Sequence, residues 1–176
     1  MMDEMRKEIL FSREAIDRRI TELAAEISRD YAGSEPVVIG VLKGAFIFMA
    51  DLIRRLRVPC VVDFTRLASY GSAAESSGQI VITKDIEIEI RDRDVLIVED
   101  IVDTGLTLSY LVEALRKRGP RSLKVCAFMD KRRRRKVVFE ADYVGFTIDD
   151  GFVVGYGLDY NEQARFYPDV HIVTNL

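Results

Sequence analysis

The sequence predicts an α/β fold with a mostly parallel central sheet flanked by helices. Three observations predict it. Short unbroken apolar runs, "VVIGVL" at 37–42 and "VLIV" at 95–98, read as strands buried on both faces. Stretches with apolar residues at helical spacing lie between such runs. Strand and helix then alternate over about the first 130 residues.

The elements follow in order. The first is a helix with Ser12 as N-cap and Ile16, Ile20, Leu23, Ala24, Ile27 and Tyr31 on one side. "AGSEP" breaks it before the strand at 37–42. A second helix, "KGAFIFMADLIRRL", places Phe46, Met49, Ile53 and Leu56 together. "PCVVDFTRLASY" is a second strand. "GSAAESSG" at 71–78 offers only small and polar side chains, so it is expected to be a mobile loop. "QIVITKD" opens an excursion expected to return at 86–90. "VLIVED" is the next strand, and the helix after it carries Leu108, Leu111, Val112 and Leu115. Gly119 and Pro120 end that helix. "SLKVCAFMD", "ADYVGFTI", "GFVVGYGLDY" and "DVHIVTNL" are the remaining strands.

At 176 residues the chain fits one domain large enough to bury a full core. With 48% apolar and 31% charged residues it has a soluble composition, and it holds no apolar run long enough for a bilayer. The N-terminal twenty residues are charged throughout, so no export signal and a cytoplasmic location are expected. Cys60 and Cys126 sit among apolar residues and read as buried free thiols. A net charge of −3 argues against a dedicated nucleic-acid binder. The one basic run, "DKRRRRK" at 130–136, reads as a solvated loop, apart from Lys131 at the strand end. His171, the single histidine, reads as structural.

Chemistry concentrates in "VLIVEDIVDTGLT". In a parallel sheet, ligands bind beyond the carboxyl ends of the strands, where Glu99 and Asp100 emerge. Gly105 permits a tight turn, and the free N–H groups of the following helix favour an anion such as phosphate. The turn is neither a Walker A loop nor a dinucleotide fingerprint. Two adjacent carboxylates suit ribose hydroxyls, or Mg²⁺ carried by a polyphosphate. Together these features describe a phosphorylated ribose. An exposed acidic strand-to-helix turn with a capping threonine is the plain alternative.

"VLIVEDIVDTGLTL" resembles the phosphoribosyl-diphosphate (PRPP) binding signature of the type I phosphoribosyltransferases. "VLKGAFIF", "SYGSAAESSG", the "DK" after a strand and "GFVVGYGLDYNEQARFYPDVHIV" resemble the hypoxanthine-guanine phosphoribosyltransferases, in the same order. The resemblance implies one phosphoribosyltransferase domain over 1–176. Its small hood would come from the N-terminal segment and about 150–176, and its mobile loop would span about 69–79. It implies Mg²⁺-dependent transfer of phosphoribose from PRPP to hypoxanthine or guanine, giving IMP or GMP and pyrophosphate.

The roles it implies are specific. Glu99 and Asp100 would bind the ribose hydroxyls, directly or through metal. Asp103 would act on the proton at purine N7 as a general base. Asp103, Thr104, Gly105, Leu106 and Thr107 would hold the 5′-phosphate; Leu106 stands where some relatives carry lysine, and only its backbone is needed. Lys43, Gly44 and Arg165 would contact pyrophosphate, the first two through a peptide that is often cis. Asp159 would coordinate a Mg²⁺ on that group. Lys131 would donate to the purine O6, Phe152 would stack on the ring, and Val153 and Asp159 would read its edge. Ser69 and Tyr70 would begin the closing loop. A homodimer or homotetramer is expected, with no membrane and no nucleic-acid partner. A xanthine-preferring relative, or a regulator that senses PRPP on the same fold, would share the turn.

Overall fold

The computed structural model describes residues 6–70 and 79–174. The loop expected at 71–78 lies outside the described residues. In chain order the elements are β1 (Lys7–Phe11), α1 (Arg13–Asp30), β2 (Val37–Leu42), α2 (Phe46–Ile53), β3 (Val61–Tyr70) and β4 (Gln79–Lys84). Then come β5 (Asp94–Val102), α3 (Leu106–Arg116), β6 (Ser122–Lys131), β7 (Tyr143–Ile148), β8 (Phe152–Val154) and β9 (Val170–Val173). The larger sheet has the order β4-β3-β2-β5-β6-β7. All its pairings are parallel except β3 with β4.

Alternation along the central strands explains why their sequences are apolar throughout. Leu96 and Val98 of β5 pack on one face with Ile16, Leu23, Phe48 and Phe128. Val95 and Ile97 pack on the other with Val37, Ile39, Leu111 and Leu115. Neither face of β5 meets water, so neither can carry polar residues until the strand leaves the core at Glu99.

The helix starts and faces follow from local chemistry, with one correction. Ser12 caps α1, its hydroxyl accepting from Ala15 N–H at 3.3 Å. All six of the expected apolar positions of α1 are buried. Helix α2 is shorter than expected and turns a different face inward: Phe48, Met49 and Leu52 are buried, whereas Phe46 is exposed. The hydrophobic run spans more than one face of the helix, so its period alone does not choose the buried side.

Three other expectations are corrected. Residues 86–90 do not return as a strand. The Asp63 carboxylate in β3 accepts from Glu87 and Ile88 N–H at 2.7 and 2.9 Å, which satisfies that backbone without a ladder. Only the first part of "GFVVGYGLDY" is strand; Gly155, Tyr156 and Gly157 all have positive φ and fold back. Cys60 precedes β3 and is half-buried, while Cys126 is fully buried in β6. Strand β1 was not foreseen. It pairs antiparallel with β9, which also pairs with β8, forming a second, three-stranded sheet. The Phe11 ring stacks on Phe146 of β7 at 4.0 Å, tying the two sheets together.

Candidate active site

Parallel pairing brings the carboxyl ends of β2, β3, β5 and β6 to one end of the sheet. Strand β2 stops at Leu42, opposite Arg66 of β3, so Ser69 and Tyr70 extend past it at that end. Glu99 and Asp100 follow directly on the apolar run of β5. Glu99 is buried, its Oε1 accepting from Asp100 N–H at 3.0 Å. Asp100 Oδ1 accepts from Ile101 N–H at 2.8 Å. Burial pushes the Glu99 carboxyl well above its ordinary range, and the charge of Asp100 adds to this. Burial raises Asp100 as well, against the opposing field of Arg165. Two acids side by side in such a setting suit a cation or hydroxyl donors, which would offset their charge.

The Lys43–Gly44 turn presses against this pair. The Leu42–Lys43 peptide is cis. A Cβ at Gly44 would overlap the Asp100 carboxylate, so only glycine lets backbone and acid meet there. Gly157 in turn lies against the Gly44 carbonyl.

Beyond Asp100 the chain enters the turn. Gly105 has φ +82° and starts α3 with no side chain capping it. Leu106 N–H makes a long contact with the Thr104 hydroxyl at 3.4 Å, and the positive end of this eleven-residue helix, flanked by Thr104 and Thr107, favours an anion. Asp103, Asp100, Lys131, Phe152, Val153 and Asp159 all line one cavity of about 200 Å³ next to this turn. Lys131 ends β6 with its side chain buried, donating to the Gly151 carbonyl at 2.8 Å and 3.5 Å from Asp150. Phe152 is partly exposed and meets Tyr160 edge-on at 5.6 Å. Val153 is buried.

A second polar group adjoins the cavity. Arg165 pairs with Asp159 at 2.8 Å and Glu162 at 3.3 Å, and donates to the Gly157 carbonyl at 2.7 Å. Lys43 pairs with the same Glu162 at 2.9 Å. Glu162 thus joins Lys43 and Arg165, two residues that the resemblance implies at pyrophosphate. Lys43 first, and Arg165 after it, hold the Glu162 carboxyl below its usual range. Sequence reasoning gave Glu162 no role, and its nearness to Lys43, 119 positions away, has no local signature.

The basic run also resolves. Arg132, Arg133, Arg134 and Arg135 pair with Asp130, Asp150, Asp103 and Asp130 respectively. Each meets an acid of this chain, and Lys131 stands apart by its burial. His171 lies in β9 with its ring 5.2 Å from Tyr167.

No group of three or more potential metal ligands occurs among the described residues. The acid pair suits a divalent cation that arrives with a substrate diphosphate and keeps several waters, which needs only one or two carboxylates.

The sheet and the β5–α3 turn together define the class of type I phosphoribosyltransferases. A family profile described as "Phosphoribosyl transferase domain" matches residues 7–161. The hypoxanthine-guanine phosphoribosyltransferase of Aquifex aeolicus (strain VF5) is 49% identical over 166 residues, 94% of this chain and 93% of that protein. That of Bacillus subtilis (strain 168) is 46% identical over 98% of this chain and 96% of its own. A crystal structure of a hypoxanthine phosphoribosyltransferase from Staphylococcus aureus superposes with a TM-score of 0.93 at 42% identity, covering 99% of this chain and 94% of that one. The chain belongs to the hypoxanthine-guanine phosphoribosyltransferase family.

Proposed function

We propose that this protein transfers the 5-phosphoribosyl group of PRPP to hypoxanthine or guanine, forming IMP or GMP and releasing pyrophosphate. The observation that carries the reading is the shared cavity. A buried lysine, an aromatic ring and a carboxylate line it directly beside an uncapped helix start. A base, a ribose and a phosphate need those contacts in that order.

On this reading the backbone of 103–107 and the hydroxyls of Thr104 and Thr107 hold the 5′-phosphate. Glu99 and Asp100 bind the ribose hydroxyls and offset positive charge as the anomeric C–O bond lengthens. The purine nitrogen attacks as pyrophosphate departs, and Asp103 takes or shares the N7 proton. Lys131 donates to O6, which disfavours adenine because an amino group there offers no acceptor. Phe152 stacks on the purine, and the Val153 backbone and the Asp159 carbonyl read its edge.

Lys43, Gly44 and Arg165 receive the pyrophosphate once Glu162 yields them. Mg²⁺ held by Glu99, Asp100 and Asp159 would neutralise the diphosphate. We read residues 1–176 as one domain in which the three-stranded sheet is the hood, and the protein as a cytoplasmic homodimer or homotetramer.

Nucleotide formation from PRPP and Mg²⁺ with hypoxanthine, guanine, xanthine, adenine and uracil offered separately tests this. Turnover of hypoxanthine or guanine that EDTA abolishes is expected. Turnover of xanthine alone would shift the substrate. Binding of PRPP without turnover of any base would make the protein a sensor.

A further inference from the structure

The segment after Lys131 is bound to the catalytic turn by three consecutive residues. Arg134 Nη1 lies 3.1 Å from Asp103 Oδ2. Arg135 Nε donates to the Asp103 carbonyl at 3.1 Å. Lys136 N–H donates to the Thr104 carbonyl at 2.9 Å. Arg135 is itself anchored. Its side chain is largely buried, and its other nitrogens bind the Asp130 carboxylate and the Phe139 carbonyl. Gly105 lets the two segments close: a Cβ there would press on Val137 at 3.0 Å and on the Arg135 stem at 3.1 Å.

These contacts fix directions that the reaction needs. In a trans peptide the C=O and the following N–H point opposite ways. With the Asp103 carbonyl turned to Arg135, the Thr104 N–H points away from the clasp. With the Thr104 carbonyl turned to Lys136, so does the Gly105 N–H. The clasp therefore aims two successive amides at the side left for an anion. Arg134 acts on the other function of the turn, because its partner is one of the two oxygens of the Asp103 side chain. The second oxygen, Oδ1, is buried with no hydrogen-bond partner among the described residues. Arg134 is thus the ionic contact that sets how this carboxylate is turned.

We infer that residues 134–136 form a positioning clasp on the β5–α3 turn, in which Arg135 aims the phosphate-binding amides and Arg134 orients the Asp103 carboxylate. This rests on the reading that the turn holds the 5′-phosphate and that Asp103 faces the purine. It gives the basic run a role inside the enzyme. Arginine is required at position 135 because one side chain reaches three acceptors from a planar fork, which lysine cannot do.

The test compares five variants of the full protein for kcat, for KM toward PRPP and toward hypoxanthine, and for IMP affinity by calorimetry. Arg135→Lys keeps the charge and most of the stem. It should raise the KM for PRPP and the Kd for IMP by about tenfold or more, with the KM for hypoxanthine little changed. Arg134→Ala removes a mostly exposed side chain and should fold normally. It should lower kcat by about tenfold with the KM for PRPP unchanged, and Arg134→Lys should recover part of that loss. Arg133→Ala, whose side chain lies 3.6 Å from Asp150 and pairs with no residue of the turn, should match wild type. Wild-type constants in both Arg134→Ala and Arg135→Lys, or a loss of melting temperature with no kinetic change, would overturn the clasp. Full activity in Asp103→Ala would instead overturn the reading of the turn, and the clasp with it.

Discussion

Strand β5 carries acids at both ends, and the chain treats the two ends oppositely. At the entry, Asp94 is fully partnered: Ser34 and Ser122 hydroxyls donate at 2.6 and 2.7 Å, and Arg121 makes a two-nitrogen pair. Arg121 first, then the two hydroxyls, hold this carboxyl far below its usual range. At the exit, Glu99 is buried with the partly buried Asp100 beside it, and both carboxyls are raised. The same residue type on the same strand stabilises the fold at one end and costs stability at the other. An acid that the fold has completed is structural, and one left uncompleted in a cleft is a candidate ligand contact.

The comparison can be tested at both ends. The largest expected effect is on chemistry just past the exit: Asp103→Ala should reduce turnover by about 10²–10⁴-fold, read as steady-state nucleotide formation, with the melting temperature nearly unchanged. At the entry, Asp94→Asn should leave kcat unaltered and destabilise the protein by about 2 kcal/mol at pH 7 in denaturant unfolding. Its pKa is depressed on folding, so the stability it adds is present above the unfolded value near about 4 and is lost as pH falls through the folded one. The gap between Asp94→Asn and wild type should therefore close in acid, and a gap that held constant would refute the pairing.

Glu99→Gln should act with the opposite sign on the ligand-free protein. Folding raises the Glu99 carboxyl above its ordinary 4.5. The penalty is absent below that value and grows as pH rises through the folded one. The variant should then melt above wild type at neutral pH, by on the order of 1 kcal/mol, and equal it near the ordinary carboxylate range. PRPP with Mg²⁺ should stabilise wild type more than the variant, which reverses the order. The smallest effect is expected at Glu162→Gln, which removes the anion that bridges Lys43 and Arg165. Because Glu162 and Lys43 are largely exposed, a decrease of only about two- to fivefold in the KM for PRPP is expected. An increase would mean that Glu162 helps to place the cations.

What could be read beforehand shares one property: its cause lies within a few residues. The apolar run of β5, the acids that end it and the glycine that opens α3 are adjacent, so pattern and turn chemistry suffice. The buried positions of α1 and α3 follow from a period of 3.6. Strand β1 escaped notice because its partner β9 lies at the far end of the chain, and five residues of mixed polarity carry no period of their own. The face of α2 was misjudged because an apolar run reaching around the helix does not say which side meets the sheet.

The sequence by itself determined the α/β class, the order of its main strands, and the turn where a phosphorylated ribose would sit. Binary pattern and backbone chemistry act locally and are written in neighbouring residues. Only the tertiary structure decided which charges meet. It carried Glu162 to Lys43, Arg134 and Arg135 to the β5–α3 turn, and the Asp100 carboxylate to Gly44. Such polar contacts depend on distance in space, and the chain records them in no repeating order.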